Sequence, residues 1–208
     1  MKNKFKLFGK LAGLLVLILA IAFFMAACDD PEDDDPTKLR LSNLTVLDND
    51  SSGLNAFVKL AYIADGINVE PIGNHITGTP KVQISNEKLT IELDQPKPAS
   101  LNILDISGYA DPSNAKAFII WCFTHDGDPY YDLIWKKNGS TNNFLSLVYV
   151  DKDVTFNGEI DFIVFNNTSL KLGWNFVVIS YDSGSGEWIA SNPTQTIPTG
   201  YTWSIQED

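Results

Sequence analysis

The sequence predicts an all-β protein, an antiparallel β-sandwich of about ten short strands, with a closed β-barrel as the alternative. Three observations predict this class. Apolar and polar residues alternate with a period of two in several segments. Clusters of Gly, Asn, Asp, Ser and Pro separate these segments at short intervals. Beyond the first 30 residues, the apolar residues show no helical period. We expect a signal segment over 1–27, a linker over 28–37 and one β-sandwich domain over 38–208.

The segment 1–27 has the three parts of a secretory signal. Four lysines precede an uncharged apolar run from Leu11 to Met25, and the small residues Ala26 and Ala27 follow, as a signal peptidase requires. The run is shorter than the roughly 20 residues that span a bilayer as a helix. Since Asp29 follows almost at once, a signal peptide is favoured over a transmembrane helix.

Cys28 stands at the predicted cleavage site. Small residues followed directly by this cysteine resemble the lipobox of bacterial lipoproteins. In that family the sulfur receives a diacylglycerol, the chain is cut before the cysteine, and the new amino terminus is usually acylated, with palmitate for example. The lipobox usually has Leu three places earlier; Met25 stands there, as in the looser lipoboxes of spirochaetes and Bacteroidetes. The resemblance implies lipid attachment at Cys28, with an ordinary secretory signal as the alternative.

The linker 28–37 is acidic and rich in proline. Six of its residues are Asp or Glu, bracketed by Pro31 and Pro36, so that it repels itself and buries no apolar area. It is expected to be a disordered tether. The acidic run resembles those after the lipidated cysteine in surface-exposed Bacteroidetes lipoproteins, which implies the outer face of the outer membrane. Asp29 resembles the enteric signal for retention at the inner membrane. Both locations in the bacterial envelope, the outer membrane and the inner membrane, therefore stay open as alternatives.

The charge of the chain excludes one class of partner. Cleavage before Cys28 removes four lysines and no acids, so the formal net charge changes from −11 to −15. Such a protein repels nucleic acid and anionic lipid, so contact with the membrane is expected through the lipid alone. If Cys28 is acylated, Cys122 is the only other cysteine and cannot form an intramolecular disulfide.

The strands are expected in chain order between turn residues. The clearest is a hairpin, in which Val82 and Ile84 alternate with polar residues before a turn, as do Leu89, Ile91 and Leu93 after it. The segment Ala117–Phe123 is apolar on both faces, as in a central strand covered on both sides. Further strands are expected at 39–46, 57–63, 101–106, 131–135, 144–150, 154–156, 160–165, 170–181, 187–190 and 201–205.

One loop carries a partial calcium motif. Asp48, Asp50 and Ser52 place oxygens at alternate positions before Gly53, as at the start of a calcium loop. The twelfth position, where a bidentate carboxylate is expected, is Lys59. The loop is therefore either a polar hairpin connection or a calcium site.

The other polar candidates favour structural roles. His75 and His125 are the only histidines and have no Glu or Cys at zinc spacing, so they are expected on the surface or in loops. Asp126, Asp128 and Asp132 lie beside His125, where Asp-Gly is typical of a hairpin turn. Cys122 has no adjacent base and is expected to be a buried, inert thiol.

Large aromatic residues are the remaining candidates for a binding surface. Trp121, Trp174 and Trp203 alternate with apolar neighbours and are expected inside. Trp188 lies beside the Ser183–Gly186 loop and Tyr130 beside a turn, so these two are expected to be exposed and able to bind a glycan or a protein.

Together these features predict a non-enzymatic protein, without a cofactor, lipid-anchored in the bacterial envelope and binding a glycan or protein through its loops. No nucleophile elbow, phosphate loop or zinc signature is present in the sequence. Two alternatives stay open. One is a structural envelope lipoprotein without a diffusible ligand. The other is a hydrolase of polysaccharides, whose paired carboxylates leave no local motif.

Overall fold

The structure is a computed structural model that describes residues 35–47, 57–60, 68–86, 88–125, 128–137, 140, 142–160 and 162–207. In these residues the regular structure is almost entirely β, which confirms the all-β prediction. The strands are β1 (Leu39–Leu47), β2 (Phe57–Leu60), β3 (Asn68–Pro71), β4 (Lys81–Ser85), β5 (Lys88–Leu93), β6 (Ala110–Asp111), β7 (Ala117–Ile120), β8 (Phe123–His125), β9 (Asp128–Lys137), β10 (Asn143–Val150), β11 (Val154–Ile160), β12 (Ile163–Leu170), β13 (Gly173–Asp182), β14 (Glu187–Thr194) and β15 (Tyr201–Glu207). Two 3-10 helices, Ile72–Asn74 and Ser100–Asn102, accompany them.

The strands form one large mixed sheet. Its order is β4-β5-β1-β15-β9-β10-β13-β14-β12-β11-β6, so the described sheet is open between β4 and β6 and does not form the closed barrel considered as the alternative. Most pairs are antiparallel, as predicted, but β1 pairs in parallel with β15 and β12 in parallel with β14. Alternating apolar residues show which face of a strand is buried and carry no information on the direction of its neighbour.

Two hydrophobic cores lie on opposite faces of the central strands. On β7, Phe118 and Ile120 belong to the first core, whereas Ala117 and Ile119 belong to the second. The first core also contains residues of β1, β4 and β5, and the second contains residues of β11 and β12. The prediction that this segment is buried on both faces is therefore confirmed for Ala117–Ile120, where β7 stops. Its position is not central, since among the described strands β7 pairs with β10 alone and lies off the main strand order.

The predicted hairpin at 82–93 is confirmed by the antiparallel pair β4–β5. Val82, Leu89 and Ile91 are buried in the first core, and Asn86 in the turn has a positive φ of 50°. The strand predicted at 101–106 was wrong. A 3-10 helix occupies its start, where the backbone N–H groups of Asn102 and Ile103 bond to the Ala99 and Ser100 oxygens, and the preceding prolines favour a tight turn there.

The residues from Pro36 to Asp208 form one compact unit, and its first residue is held at one end of β13. The Pro36 oxygen accepts a hydrogen bond of 3.0 Å from the backbone N–H of Trp174. Gly173 has a φ of 95°, and a Cβ there would lie 1.9 Å from the same oxygen. Only glycine accommodates this backbone conformation and this close approach.

Hydrogen bonds donated to one carboxylate fasten the loop at this same end. Asp153 accepts a 2.6 Å bond from the Lys171 ammonium and a 2.9 Å bond from the Leu172 backbone N–H. These bonds, that from the Lys171 side chain foremost, lower the pKa of Asp153 below its ordinary value. We call this end of β10 and β13, where Val150 pairs with Gly173, the Pro36 end.

Candidate functional site

An exposed group of aromatic side chains lies at the end of the sheet opposite the Pro36 end. We call it the aromatic patch, and it consists of Trp121, Phe144, Phe162, Tyr181 and Trp188. Phe144 pairs with Ile179 near the start of β10, whereas β10 pairs with Gly173 at its other end, Val150. The length of these two strands therefore separates the patch from Pro36.

The sheet pattern explains why these rings meet. On β13, Val177 and Ile179 are buried in the second core, so Tyr181 follows them on the same face with a period of two. Tyr181 is directly opposite Trp188 on β14. The aromatic patch thus continues the second core toward the surface at the strand ends, where Phe162 and Tyr181 are exposed.

The rings form an unbroken series of contacts. The centroid distances are 6.0 Å from Phe162 to Trp121, 6.3 Å from Trp121 to Phe144, 5.4 Å from Phe144 to Trp188 and 5.3 Å from Trp188 to Tyr181. Phe162 is 52% exposed and Tyr181 41% exposed, whereas the three rings between them are half-buried. The three contacts from Trp121 to Tyr181 have interplanar angles of 57° to 65°, so the patch is an apolar surface of tilted rings and not a flat platform.

Phe162 has an unusual backbone as well as an exposed ring. It lies in the turn between β11 and β12 with a φ of 41°, in the left-handed region. Bulky side chains rarely adopt this conformation, which costs roughly 1–2 kcal/mol for an L-residue. Its ring stacks on Trp121 at an interplanar angle of 26°. The turn therefore presents a large apolar ring to solvent where Gly or Asn would fit the backbone better.

Two carboxylates lie just beyond the aromatic patch. Asp182 and Glu187 form the next cross-strand pair after Tyr181 and Trp188. Asp182 accepts a 2.9 Å bond from the Gly184 backbone N–H and a 3.1 Å bond from the Ser185 hydroxyl. These bonds lower the pKa of Asp182, so it carries its charge throughout the neutral range. The patch therefore has an acidic margin.

A polar cleft lies on the opposite face of the same strands and has a volume of about 590 Å³. Val178 and Ser180 of β13 form part of its floor, since they alternate with the residues that point into the second core. Its described lining residues are Lys137, Asn143, Val178, Ser180, Ser191, Pro193, Thr194, Pro198 and Tyr201. Burial raises the pKa of the Tyr201 phenol, so this group remains a neutral hydrogen-bond donor.

The structure brings one of the two predicted binding aromatics into this region. Trp188 was predicted to be exposed and is instead half-buried, because it packs between Phe144 and Tyr181 in the aromatic patch. Tyr130 lies in β9, but its side chain is outside the part of the chain that the structure describes. The same holds for Cys28 and for the calcium candidates Asp48, Asp50 and Ser52.

Predictions for the other aromatics and for Cys122 have mixed outcomes. Trp174 and Trp203 are buried in the first core, and Cys122 is buried, as predicted. Trp121 was predicted inside and is instead half-buried at the rim of the second core. It follows the last residue of β7, so its ring extends past the covered part of the sheet to meet Phe162.

His75 was predicted on the surface or in a loop, and it lies in the turn after the first 3-10 helix, where it is buried. His75 is only 5% exposed and stacks on Phe118, with centroids 5.6 Å apart. Its Nδ1 lies 3.2 Å from the Ser100 hydroxyl and its Nε2 lies 3.1 Å from a Glu70 carboxylate oxygen. These partners satisfy the polar atoms of the ring, which permits its burial.

The Ser100, His75 and Glu70 side chains resemble the members of a nucleophilic triad in type but not in arrangement. The serine contacts Nδ1 and the carboxylate contacts Nε2, the reverse of the serine protease geometry. Ser100 is also only 4% exposed. A buried hydroxyl is not accessible to a polysaccharide chain. We therefore interpret these bonds as holding the two 3-10 segments against β7.

Neither a metal cluster nor a membrane helix is present in the part of the chain that the structure describes. In those residues no three His, Cys, Asp or Glu side chains are close enough to share a metal ion. Over the same residues, no helix has the length and apolar character needed to cross a bilayer.

Comparison with known proteins adds no relative: no family model, curated protein or solved structure matches the chain.

Proposed function

We propose that this protein is a non-enzymatic binding module, held on the bacterial envelope by a lipid on Cys28, that binds a partner protein through the aromatic patch. The observation that carries the proposal is the unbroken contact series of five rings, with Phe162 52% exposed and Tyr181 41% exposed. Large exposed apolar patches mark interaction sites, and Trp and Tyr dominate binding energies there.

The anatomy of the patch favours a protein over a glycan as its partner. Sugars stack on open, flat ring faces, whereas most of these rings are tilted against each other and half-covered. An apolar aromatic centre with a charged margin is typical of protein interfaces. Asp182 and Glu187 supply that margin, and cleavage before Cys28 leaves a formal charge of −15. A basic or neutral partner surface therefore fits best.

The position of the patch supports a surface role. The aromatic patch and Pro36 lie at opposite ends of β10 and β13. The length of these strands therefore lies between the patch and Pro36, and the proposal places the lipid on the amino-terminal side of Pro36.

The test is an array of purified envelope proteins, host-matrix proteins and glycans, probed with the full-length chain in lipid nanodiscs. We expect a protein to bind, and Phe162→Ala to weaken that binding at least tenfold, because its ring is the most exposed of the patch and large aromatic residues dominate binding energies at interfaces. Leu172→Ala is the matched control, since Leu172 is an exposed apolar residue at the Pro36 end. Equal binding by both variants, or binding to glycans alone through the patch, would overturn the proposal.

A further inference from the structure

We propose that the polar cleft is a second site, independent of the aromatic patch, that binds a monosaccharide unit carrying a carboxylate, such as a hexuronic acid. The cleft is on the other face of the sheet from the aromatic rings. Its volume of about 590 Å³ is in the range of small-ligand sites, which is roughly 300–1,000 Å³.

The backbone around the cleft favours recognition by side chains. β10 and β13 each pair with a strand on both sides beside the cleft, so their backbone groups are engaged in the sheet. The pairing of β14 with β12 runs from Trp188 to Ala190, and the segment of β14 that lines the cleft beyond it contains Pro193, which has no backbone N–H to offer a partner strand. A peptide that binds by strand addition needs an unpaired edge. The cleft is therefore suited to a small polar molecule held by side chains.

The polar groups that line the cleft match the hydroxyls of a sugar. Asn143 donates from Nδ2 to the Ser140 hydroxyl at 2.9 Å, which fixes the orientation of its amide. Ser180 adds a hydroxyl on the floor, and Tyr201 adds a neutral phenol on a half-buried ring. Hydroxyl and amide groups beside one aromatic ring are the elements that bind a sugar by hydrogen bonds and stacking.

The charge of the cleft specifies the acidic substituent. The described lining contains one cation, Lys137, and no carboxylate, although the chain has 26 acids against 15 bases. A lysine binds a carboxylate as a point charge through charge-assisted hydrogen bonds. Phosphate sites commonly add an arginine fork or the amides of a helix N-terminus, and neither is among the described lining residues. One carboxylate on a polyhydroxy ring fits these groups best.

Ligand-observed NMR on the full-length chain in nanodiscs tests the proposal with glucuronate, glucose and acetate as probes. We expect glucuronate to bind with a Kd of about 1 mM, a scale set by the small size of the ligand. Glucose should bind about tenfold more weakly, and acetate should show no measurable binding. Lys137→Gln should reduce glucuronate binding about tenfold, to the level of glucose, and leave glucose unchanged.

Two further variants show whether the sugar binds in the cleft or elsewhere on the protein. Lys171→Gln removes an exposed lysine at the Pro36 end and should leave glucuronate binding unchanged. Phe162→Ala should leave sugar binding intact, so failure of the patch and failure of the cleft are distinguishable. The proposal is overturned if glucuronate does not bind, if it binds no better than glucose or acetate, or if Lys137→Gln binds it like the parent chain.

Discussion

Substitutions at Phe162 test whether exposing its ring in the turn between β11 and β12 lowers the stability of the protein through a strained backbone. We compare Phe162→Gly with Phe162→Ala, since both remove the ring and only alanine keeps a Cβ in the left-handed region, where φ is 41°. At an ordinary negative φ, alanine is more stable than glycine by about 0.4–1 kcal/mol. A clash of the Cβ costs about 1–2 kcal/mol at positive φ, which reverses the order.

The magnitudes follow from exposure and backbone together. About half of the ring is exposed, so its removal costs about 1 kcal/mol, half of the value for a fully buried phenylalanine. Phe162→Ala should therefore lower the free energy of unfolding by about 1 kcal/mol. Phe162→Gly also removes the Cβ and so relieves the backbone strain. It should be more stable than Phe162→Ala by about 0.5–1 kcal/mol.

Urea unfolding, followed by tryptophan fluorescence, measures both variants against the parent chain. The midpoint is compared only if the slope m is unchanged, because a change of slope indicates a different unfolded or native state. If Phe162→Ala proves more stable than Phe162→Gly, the residue does not hold a strained backbone and the argument that the turn was selected to expose a ring fails.

Three further predictions concern stability. Gly173→Ala should lower the free energy of unfolding by about 2 kcal/mol or more, because its Cβ would fall 1.9 Å from the Pro36 oxygen at a φ of 95°; a thermal shift below about 2 °C would contradict this. His75→Phe keeps an aromatic ring stacked on Phe118 but leaves the buried Ser100 hydroxyl without its partner, which should lower the free energy of unfolding by about 1–3 kcal/mol. In chemical unfolding, adding Ser100→Ala to His75→Phe should recover part of that loss, because the hydroxyl left without a partner is then removed. In the folded protein the pKa of Asp153 lies below its ordinary value of 3.8, so the ionised carboxylate stabilises the fold at neutral pH, and this stabilisation is lost as the pH falls through the folded pKa. Asp153→Asn should therefore lose less stability below about pH 4 than the parent chain. If the free energy of unfolding of both chains falls equally with pH, Asp153 does not stabilise the fold in this way.

Local patterns predicted the features that depend on one strand at a time. The alternation around Val82 and Leu89 predicted the hairpin, and the two apolar faces of Ala117–Ile120 predicted a strand between two cores. These predictions succeeded because the alternation of apolar and polar residues within one strand shows which of its faces is buried. The parallel pairings of β1 and β12 have no such signature, since strand direction depends on distant chain segments.

The candidate site was predictable only in part for the same reason. Trp188 was singled out by its neighbouring Ser-Gly loop, and the same signal was present for Tyr181, which precedes that loop. Phe162 was missed because it lay inside the strand expected at 160–165, whereas β11 ends at Ile160 and β12 begins at Ile163, which leaves Phe162 in a turn. The burial of His75 was missed because its partners, Ser100 in particular, are supplied by tertiary contacts.

The pairing of β1 with β15 has a consequence for how the chain is made. Val46 meets Trp203 in the register of the sheet, so the first described strand cannot complete its pairing until the last strand has been synthesised. Trp203 also fills the first core. Contacts between such distant residues form late and slow folding. A chain that stops before β15 would leave β1 paired with β5 alone and the first core without Trp203, so we expect it to be less stable than a chain that contains β15.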